Sequence, residues 1–306
     1  GVIGLLDDGI KIMRQRSLGL HPSGKIIGQV AVASLFALGT LIKPNEFDEY
    51  PGTLAISFAR PTAMTLGFAG LGLGIALYLI WTNLIVTAWS NATNLTDGLD
   101  GLAAGVSIFV FGAYTFITYF QRIQACTQLG ANQANCYSTR DPLDLAIFCA
   151  ALIGALAGFL WWNASPAQIF MGDTGSMFLG FMLAGISVIG AVKSAATIAL
   201  IVPILALGLP IMDTTFAIVR RYRGGVPIFK PDKGHLHHRL LDLGFTQRQA
   251  VLLMYIISAL LGLSAVALTE VSGGIALVIF AGVVASVLFG AKKLGIFRMN
   301  DSAQTH

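Results

Sequence analysis

Residues 89–105 have the sequence WSNATNLTDGLDGLAAG and join one long apolar run of the chain to the next. The stretch contains two asparagines, two threonines and two aspartates. Carboxylates at the end of a membrane segment are costly unless they face protein, water or a cation, so this polar density indicates a functional site. Asp97 and Asp100 are three residues apart, which places them on one face if a helix begins here. The alternative is a water-exposed turn, which needs no such pairing.

The composition predicts a polytopic membrane protein. Of the 306 residues 55% are apolar and 11% are charged, against roughly 25% charged in a soluble domain. A helix needs about 20 apolar residues to cross a bilayer, and eight runs meet or approach this length: 26–42, 61–89, 102–120, 143–162, 177–192, 196–212, 250–268 and 274–291. We therefore expect an all-α bundle of about eight complete transmembrane helices, forming a single domain over residues 1–306.

The first residues do not fit this pattern. Residues 1–6 are apolar and stop at Asp7 and Asp8. They are too short to cross a bilayer and lack the basic flank of a signal peptide. We expect the chain to begin inside a partial first helix, with that helix's start and earlier helices absent.

The basic residues predict the orientation. With the polar stretch on one side, that side carries fourteen of the nineteen lysines and arginines. Basic residues favour the cytoplasmic side, so the polar motifs are predicted to be cytoplasmic. The net charge of +4 then reflects topology and attraction to anionic lipid, and it predicts no nucleic-acid partner.

Two further cytoplasmic motifs carry acids. Adjacent carboxylates repel, which raises one pKa unless a cation lies between them, so Asp7 and Asp8 are typical of a proton acceptor or cation site. A solvated helix end is the alternative. Asp173 lies between two glycines and beside two hydroxyl residues, in the sequence MGDTGS. Backbone N–H groups at a helix start, hydroxyls and a carboxylate-held Mg²⁺ would cradle a pyrophosphate.

A third cytoplasmic segment holds His235, His237 and His238, three of the five histidines of the chain. A polar loop is the simplest interpretation, and a zinc site is less favoured because no cysteine lies nearby. Imidazoles beside basic residues suit an anionic ligand better. On the opposite side, Cys126 and Cys136 are candidates for a disulfide, which their spacing leaves open.

The motifs together carry a resemblance. Asp7-Asp8, residues 94–101 (NLTDGLDG), residues 170–176 (FMGDTGS) and residues 235–238 (HLHH) resemble, in that order, the signature motifs of the polyprenyl-phosphate N-acetylhexosamine-1-phosphate transferases. The resemblance implies that undecaprenyl phosphate attacks the sugar-linked phosphorus of a UDP-N-acetylhexosamine at the cytoplasmic face of the plasma membrane and releases UMP. It also implies Mg²⁺, with Mn²⁺ as a substitute, and a bundle of ten or eleven spans.

The resemblance assigns roles residue by residue. Asp173 would be the metal ligand, and Asp7 would be the base that deprotonates the lipid phosphate, supported by Asp8. The remaining positions would contact the substrate. Uridine would be held by Asp100, Asn163 and Phe170, the last by stacking. The polar floor would include Asn94 and Asp97, and the diphosphate or sugar would meet His235, His237 and His238.

Two sets of residues bear on the choice of sugar, and they resemble different branches of the family. Residues 213–221 (DTTFAIVRR) and 231–239 (PDKGHLHHR) resemble the branch that uses UDP-N-acetylglucosamine for teichoic acid or O-antigen. Residues 14–20 (RQRSLGL), 140–144 (RDPLD) and 158–163 (GFLWWN) resemble the peptidoglycan branch, which uses UDP-N-acetylmuramoyl pentapeptide. Because the histidine loop would face the sugar, we expect UDP-N-acetylglucosamine, with the muramoyl pentapeptide as the alternative.

Other function classes are less favoured. A transporter usually carries its acids near the membrane midplane in repeated halves, whereas these acids are predicted at one face and no repeat is found. A non-catalytic lipid-binding scaffold is a third hypothesis. The sequence does not decide between direct displacement, which we prefer, and a phospho-aspartate intermediate. It leaves the oligomeric state open, a homodimer included.

Overall fold

The computed structural model describes residues 1–16, 18–42, 44, 50–52, 54–57, 61–125, 141–191, 240–241 and 243–270, with six isolated positions between 278 and 289. Seven helices lie within the continuous ranges. They are α1 (Val2–Met13), α2 (Pro22–Thr40), α3 (Leu71–Thr96), α4 (Leu102–Ile123), α5 (Pro142–Asn163), α6 (Gly172–Ile186) and α7 (Gln247–Glu270). A short antiparallel hairpin, β1 (Ala55–Ser57) and β2 (Pro61–Thr65), precedes α3.

Six of these helices are long and apolar enough to cross a membrane. They are α2 to α5, α7, and α6 with its π-helical continuation, which together reach Gly190. The prediction of a polytopic helical membrane protein is therefore confirmed, and the chain is a multi-pass membrane protein. The predicted spans 196–212 and most of 274–291 lie outside the described residues.

Two predicted boundaries were wrong. The run 61–89 does not form one helix, since residues 61–65 form β2 and α3 begins only at Leu71. Gly70 separates them with a φ of +108°, a conformation that glycine adopts without steric cost. Asp7 and Asp8 do not end the first helix either, because α1 continues to Met13. Apolar composition shows where a segment can be buried but does not show where a helix begins or ends. The apolar run begins ten residues before α3, and α1 continues beyond the apolar residues 1–6.

The helices pack closely where glycine or other small residues allow it. Helix α4 packs against α5 and α7, and α3 packs against α2 and α6. At Gly180 of α6 an added Cβ would collide with the α3 backbone at Trp89 and Ser90. Phe111 and Tyr114 of α4 are fully buried. This packing sets the positions of the helix ends that carry the polar motifs.

Those ends meet at one end of the bundle. The second half of α1, the start of α2, the α3–α4 connection and the α5–α6 connection are joined by side-chain hydrogen bonds and ion pairs. The start of α7 joins them, since Arg248 donates a hydrogen bond to the Ser165 carbonyl. Segments that are far apart in the sequence therefore contribute polar groups to a single membrane face.

Candidate active site

Three carboxylates form the centre of this face. Asp7 and Asp8 of α1 and Asp173 in the first turn of α6 each place one oxygen within 4.8 Å of the others. The side chain of Asp7 is fully buried, and those of Asp8 and Asp173 are 24% and 15% exposed. We call these three residues the acid cluster. It brings together two helices that are more than 160 positions apart in the sequence.

Two lysines neutralise much of the charge of the acid cluster. The Lys11 ammonium lies 2.6 Å from Asp7 Oδ2, 3.2 Å from Asp173 Oδ1 and 3.5 Å from Asp8 Oδ1. The Lys25 ammonium, from the first turn of α2, lies 2.5 Å from Asp173 Oδ2 and 3.0 Å from Asp7 Oδ2. Asp7 Oδ1 also accepts a hydrogen bond of 2.6 Å from the Leu20 N–H. Each lysine thus bridges α1 and α6.

Asp8 caps helix α6 from outside. Its Oδ2 accepts hydrogen bonds from the Thr174 N–H (2.9 Å) and the Thr174 hydroxyl (2.7 Å). Gly172 permits this approach, because its φ is +62° and an added Cβ would lie 2.9 Å from the same oxygen. A carboxylate at a helix N-terminus is stabilised by the helix dipole. Part of the N–H cradle predicted for a pyrophosphate is therefore occupied by Asp8.

The lysines and the cap set the proton affinities of the α1 acids. Burial alone would raise the pKa of Asp7, but the ion pairs with Lys11 and Lys25 hold that pKa far below its usual value. Burial likewise works against the hydrogen bonds from Thr174, which lower the pKa of Asp8. The acids in turn raise the pKa of Lys11 against its own burial. Both aspartates and Lys11 are therefore charged at neutral pH.

Asp97, which ends α3, behaves in the opposite way. Burial, followed by the negative charges of Asp173, Asp100 and Asp8, raises its pKa from 3.8 to about 7. No hydrogen bond or ion pair reaches its carboxylate from any residue that the structure describes. Asp97 is thus partly protonated near neutral pH. Negative charges of the acid cluster repel its carboxylate, and neither Lys11 nor Lys25 forms an ion pair with it.

A network of hydrogen bonds holds the two connections beside the acid cluster. Asp100 Oδ2 accepts from the Ala167 N–H at 3.1 Å. Asn163 is 3% exposed; its Oδ1 accepts from the Gly101 N–H at 3.1 Å and its amide donates to the Ile169 carbonyl at 2.9 Å. Tyr255 of α7 donates to the Gly101 carbonyl at 2.6 Å. Asn163 and Tyr255 therefore fix the position of the stretch that carries Asp97 and Asp100.

The remaining predicted positions lie around the same end of the bundle. Asn94 accepts a hydrogen bond of 3.0 Å from the Ser176 hydroxyl, which links α3 to α6. Phe170, just before α6, is 74% exposed, as an aromatic ring must be if it is to stack on a ligand. His235, His237 and His238 lie outside the described residues. The substrate roles of all these residues stay predictions.

Sequence reasoning missed the lysines and the cap. Lys11 follows Asp7 by four residues, the spacing at which helix side chains of opposite charge pair, so the sequence could have predicted this ion pair. The sequence contains no such pattern for the contacts of Lys25 and Thr174, because their partners lie on other helices. The structure groups Asp7 and Asp8 with Asp173, in agreement with a cation site at Asp7 and Asp8, whereas Asp100 lies outside that group.

The acid cluster fits a Mg²⁺ ion by its chemistry. Mg²⁺ prefers oxygen ligands at about 2.1 Å, so that opposite ligands are about 4.2 Å apart. The spread of 4.8 Å exceeds that separation only slightly, and side-chain rotations can close the gap. Asp173 Oδ1 and Oδ2, Asp7 Oδ2 and Asp8 Oδ1 are bound only to ammonium groups among the described residues, so an ion would compete with lysines for them.

Comparisons with known proteins agree with this site. Residues 1–191 match the model of glycosyl transferase family 4. The phospho-N-acetylmuramoyl-pentapeptide-transferase of Beutenbergia cavernae is 48% identical over 262 residues, covering 85% of this chain and 71% of the relative. The enzyme of the same name from Renibacterium salmoninarum is 43% identical over 267 residues, covering 85% and 70%. That from Micrococcus luteus is 51% identical over 187 residues, covering 61% and 49%.

These relatives bear on the two sugars considered above. All three carry the name of the muramoyl-pentapeptide transferase, so the comparisons favour the alternative over UDP-N-acetylglucosamine. The histidine loop was given too much weight against residues 14–20 and 158–163. A matched family model, extensive identity and an acid cluster at one membrane face lead to one conclusion: the chain belongs to glycosyl transferase family 4, within the polyprenyl-phosphate sugar-1-phosphate transferases.

Proposed function

We propose that the chain transfers phospho-N-acetylmuramoyl-pentapeptide from its UDP-linked donor to a polyprenyl phosphate at the cytoplasmic face of the plasma membrane. The observation that carries the proposal is the acid cluster, formed by α1 and α6 at one end of a membrane bundle. The choice of sugar rests on relatives that share 48% and 43% of their aligned residues with this chain.

The reaction exchanges one phosphorus–oxygen bond for another. A non-bridging oxygen of the lipid phosphate bonds to the sugar-linked phosphorus. The bond from that phosphorus to the oxygen bridging the two donor phosphates breaks, and UMP leaves with that oxygen. Phosphoryl transfer asks a protein chiefly for positioning and charge neutralisation, and a bound Mg²⁺ supplies part of that neutralisation.

Each described group has a place in this scheme. Asp173, Asp7 and Asp8 would hold the ion, and Lys11 would balance the remaining negative charge. The exposed ring of Phe170 is available to stack on uracil. The network of Asn163 and Tyr255 keeps the α3–α4 connection in place beside the donor.

The lowered pKa of Asp7 argues against a role as general base. A base must bind a proton at the working pH, and the lowered pKa of Asp7 makes it a weak one. A lipid phosphate that is already ionised needs no base. We therefore propose that Asp7 acts electrostatically, by holding the cation and the lysines, and that no phospho-aspartate forms.

The purified protein can test the proposal with two donors. We expect Mg²⁺-dependent release of UMP and labelling of undecaprenyl phosphate from UDP-N-acetylmuramoyl-pentapeptide, and little product from UDP-N-acetylglucosamine. Label entering lipid only from UDP-N-acetylglucosamine would contradict the sugar assignment. A phosphorylated aspartate trapped by acid quenching would contradict direct displacement.

A further inference from the structure

Lys25 pairs with two of the three acids that would hold a divalent cation. Its ammonium group is 2.5 Å from Asp173 Oδ2 and 3.0 Å from Asp7 Oδ2. Asp173 is the predicted metal ligand, and its other oxygen faces Lys11 at 3.2 Å. Both oxygens of Asp173 are therefore paired with lysine ammonium groups. A cation that binds Asp173 must therefore compete with the two lysines for its oxygens.

Charge indicates how many lysines must leave. The three carboxylates carry three negative charges and the two ammonium groups carry two positive ones. A divalent cation added to both lysines would give this partly buried site a net positive charge. If one lysine leaves, the cation and the remaining lysine balance the carboxylates. Uncompensated charge is costly where side chains are partly buried, so the balanced state is favoured.

The connectivity indicates which lysine leaves. Lys11 is on the same helix as Asp7 and Asp8 and contacts all three acids. Lys25 belongs to the first turn of α2 and, of the three acids, contacts Asp7 and Asp173 but not Asp8. The exposures of the two lysine side chains, 22% for Lys25 and 31% for Lys11, do not separate them. Lys25 therefore has fewer of the three acids to give up, and it is not anchored to the helix that carries two of them.

We infer that Lys25 is an exchangeable substitute for the divalent cation: it holds Asp7 and Asp173 together when no cation is bound, and cation entry displaces it while Lys11 stays. The inference rests on the proposed function only for the identity of the cation. It makes cation binding a competition with a built-in ammonium group, so the affinity for the free ion is lower than the acids alone would give. The displaced Lys25 is then a free positive charge beside the reaction centre.

A titration with Mn²⁺, followed by electron paramagnetic resonance on the full chain in detergent without donor or lipid, tests this competition. Lys25→Met removes the competing charge and keeps the length of the side chain. We expect it to bind Mn²⁺ about tenfold more tightly than the wild type. The matched control is Arg14→Met, which removes an exposed positive charge three residues from Lys11. It should change the affinity by less than about twofold.

Several results would overturn the inference. It fails if Lys25→Met binds Mn²⁺ no more tightly than the wild type, or if Arg14→Met tightens binding equally. Lys25→Arg keeps the charge and should not bind more tightly, so a gain equal to that of Lys25→Met would also contradict competition. A protein that shows this pattern but transfers no sugar phosphate leaves the inference standing and removes the proposed function.

The wild-type protein gives a second test that does not depend on a variant folding. An amine-reactive acylating reagent modifies lysines according to their exposure and pairing, and peptide mass spectrometry separates Lys11 from Lys25. Addition of Mn²⁺ should increase the modification of Lys25 several-fold and leave that of Lys11 unchanged. Unchanged Lys25 reactivity in the presence of bound Mn²⁺ would contradict displacement.

Discussion

The acids of α1 and Asp97 of the α3–α4 connection lie at the same end of the bundle, but their pKa values are shifted in opposite directions. The pKa values of Asp7 and Asp8 are lowered, whereas that of Asp97 is raised to about 7. Burial raises the pKa in all three cases. The difference comes from partners. Asp7 has two lysines and Asp8 has Thr174, whereas the charges that act on Asp97 among the described residues are those of other acids. Counter-charges and hydrogen bonds therefore keep the α1 acids ionised, while Asp97 titrates near neutral pH.

The largest expected effect on activity comes from loss of the cation from the acid cluster. Asp173→Asn should lower the rate of sugar-phosphate transfer by at least about 100- to 1,000-fold, as when a group that stabilises transition-state charge is removed. The measurement is Mg²⁺-dependent UMP release. Asp144→Asn, at an exposed position in the first turn of α5, is the control and should keep activity. Full activity of folded Asp173→Asn would remove Asp173 from the site.

A stability measurement sharpens the comparison. Asp7→Asn should destabilise the protein by about 3 kcal/mol, because it breaks the buried ion pairs that Asp7 makes with both lysines. Thermal denaturation in buffer free of divalent cations would show a lower midpoint. Asp100→Asn should cost much less, since the hydrogen bond from the Ala167 N–H can still be accepted by the amide oxygen. Equal losses for the two variants would show that the lysine pairs add no stability.

The pH dependence of stability distinguishes Asp97 from the acids of α1. The folded protein holds the Asp97 proton more tightly than the unfolded chain, so Asp97 makes stability fall as pH rises from about 4 to about 7, with the full penalty above that range. Asp97→Asn should therefore raise the thermal midpoint at pH 8, where the penalty is at most about 4 kcal/mol, and raise it by less than half as much at pH 5. Bound Mg²⁺ should reduce the gain. A gain of equal size at both pH values would contradict the raised pKa.

The smallest expected effect concerns the cap on α6. Thr174→Val removes the hydroxyl that donates to Asp8 but keeps the backbone N–H. We expect a loss of about 1 to 2 kcal/mol, as for one hydrogen bond to a charged group. Thr115→Val is the control, because the Thr115 hydroxyl bonds to the Phe111 carbonyl of its own helix. Thermal midpoints that fall equally in both variants would show that the Asp8 contact is not special.

The parts of the fold that could be predicted follow from local physics. Long apolar runs predicted five of the six membrane helices closely, and the distribution of lysines and arginines predicted that Asp7, Asp100 and Asp173 share one face. The strand at 61–65 was missed because apolar composition does not separate a helix from an extended segment. The lowered pKa of Asp7 could not be predicted, because it depends in part on Lys25, which comes from another helix.

The same reasoning explains the error over the sugar. The histidine loop was chosen because it would face the sugar, but its geometry lies outside the described residues. The residues at 158–163 point to the other branch, and Asn163 among them is built into the α3–α4 connection through Gly101. A motif whose contacts are visible in the structure was the better guide.

The central claim is that α1 and α6 together hold one divalent cation and that the α3–α4 connection does not. A structure of the protein in Mn²⁺, with the ion located by anomalous scattering, tests it most directly. The account predicts one ion about 2.1 Å from oxygens of Asp173 and of Asp7 or Asp8, with the Lys25 ammonium moved away. An ion bound at Asp97 or Asp100 instead, or Asp173 still paired with Lys25 beside a bound ion, would contradict it.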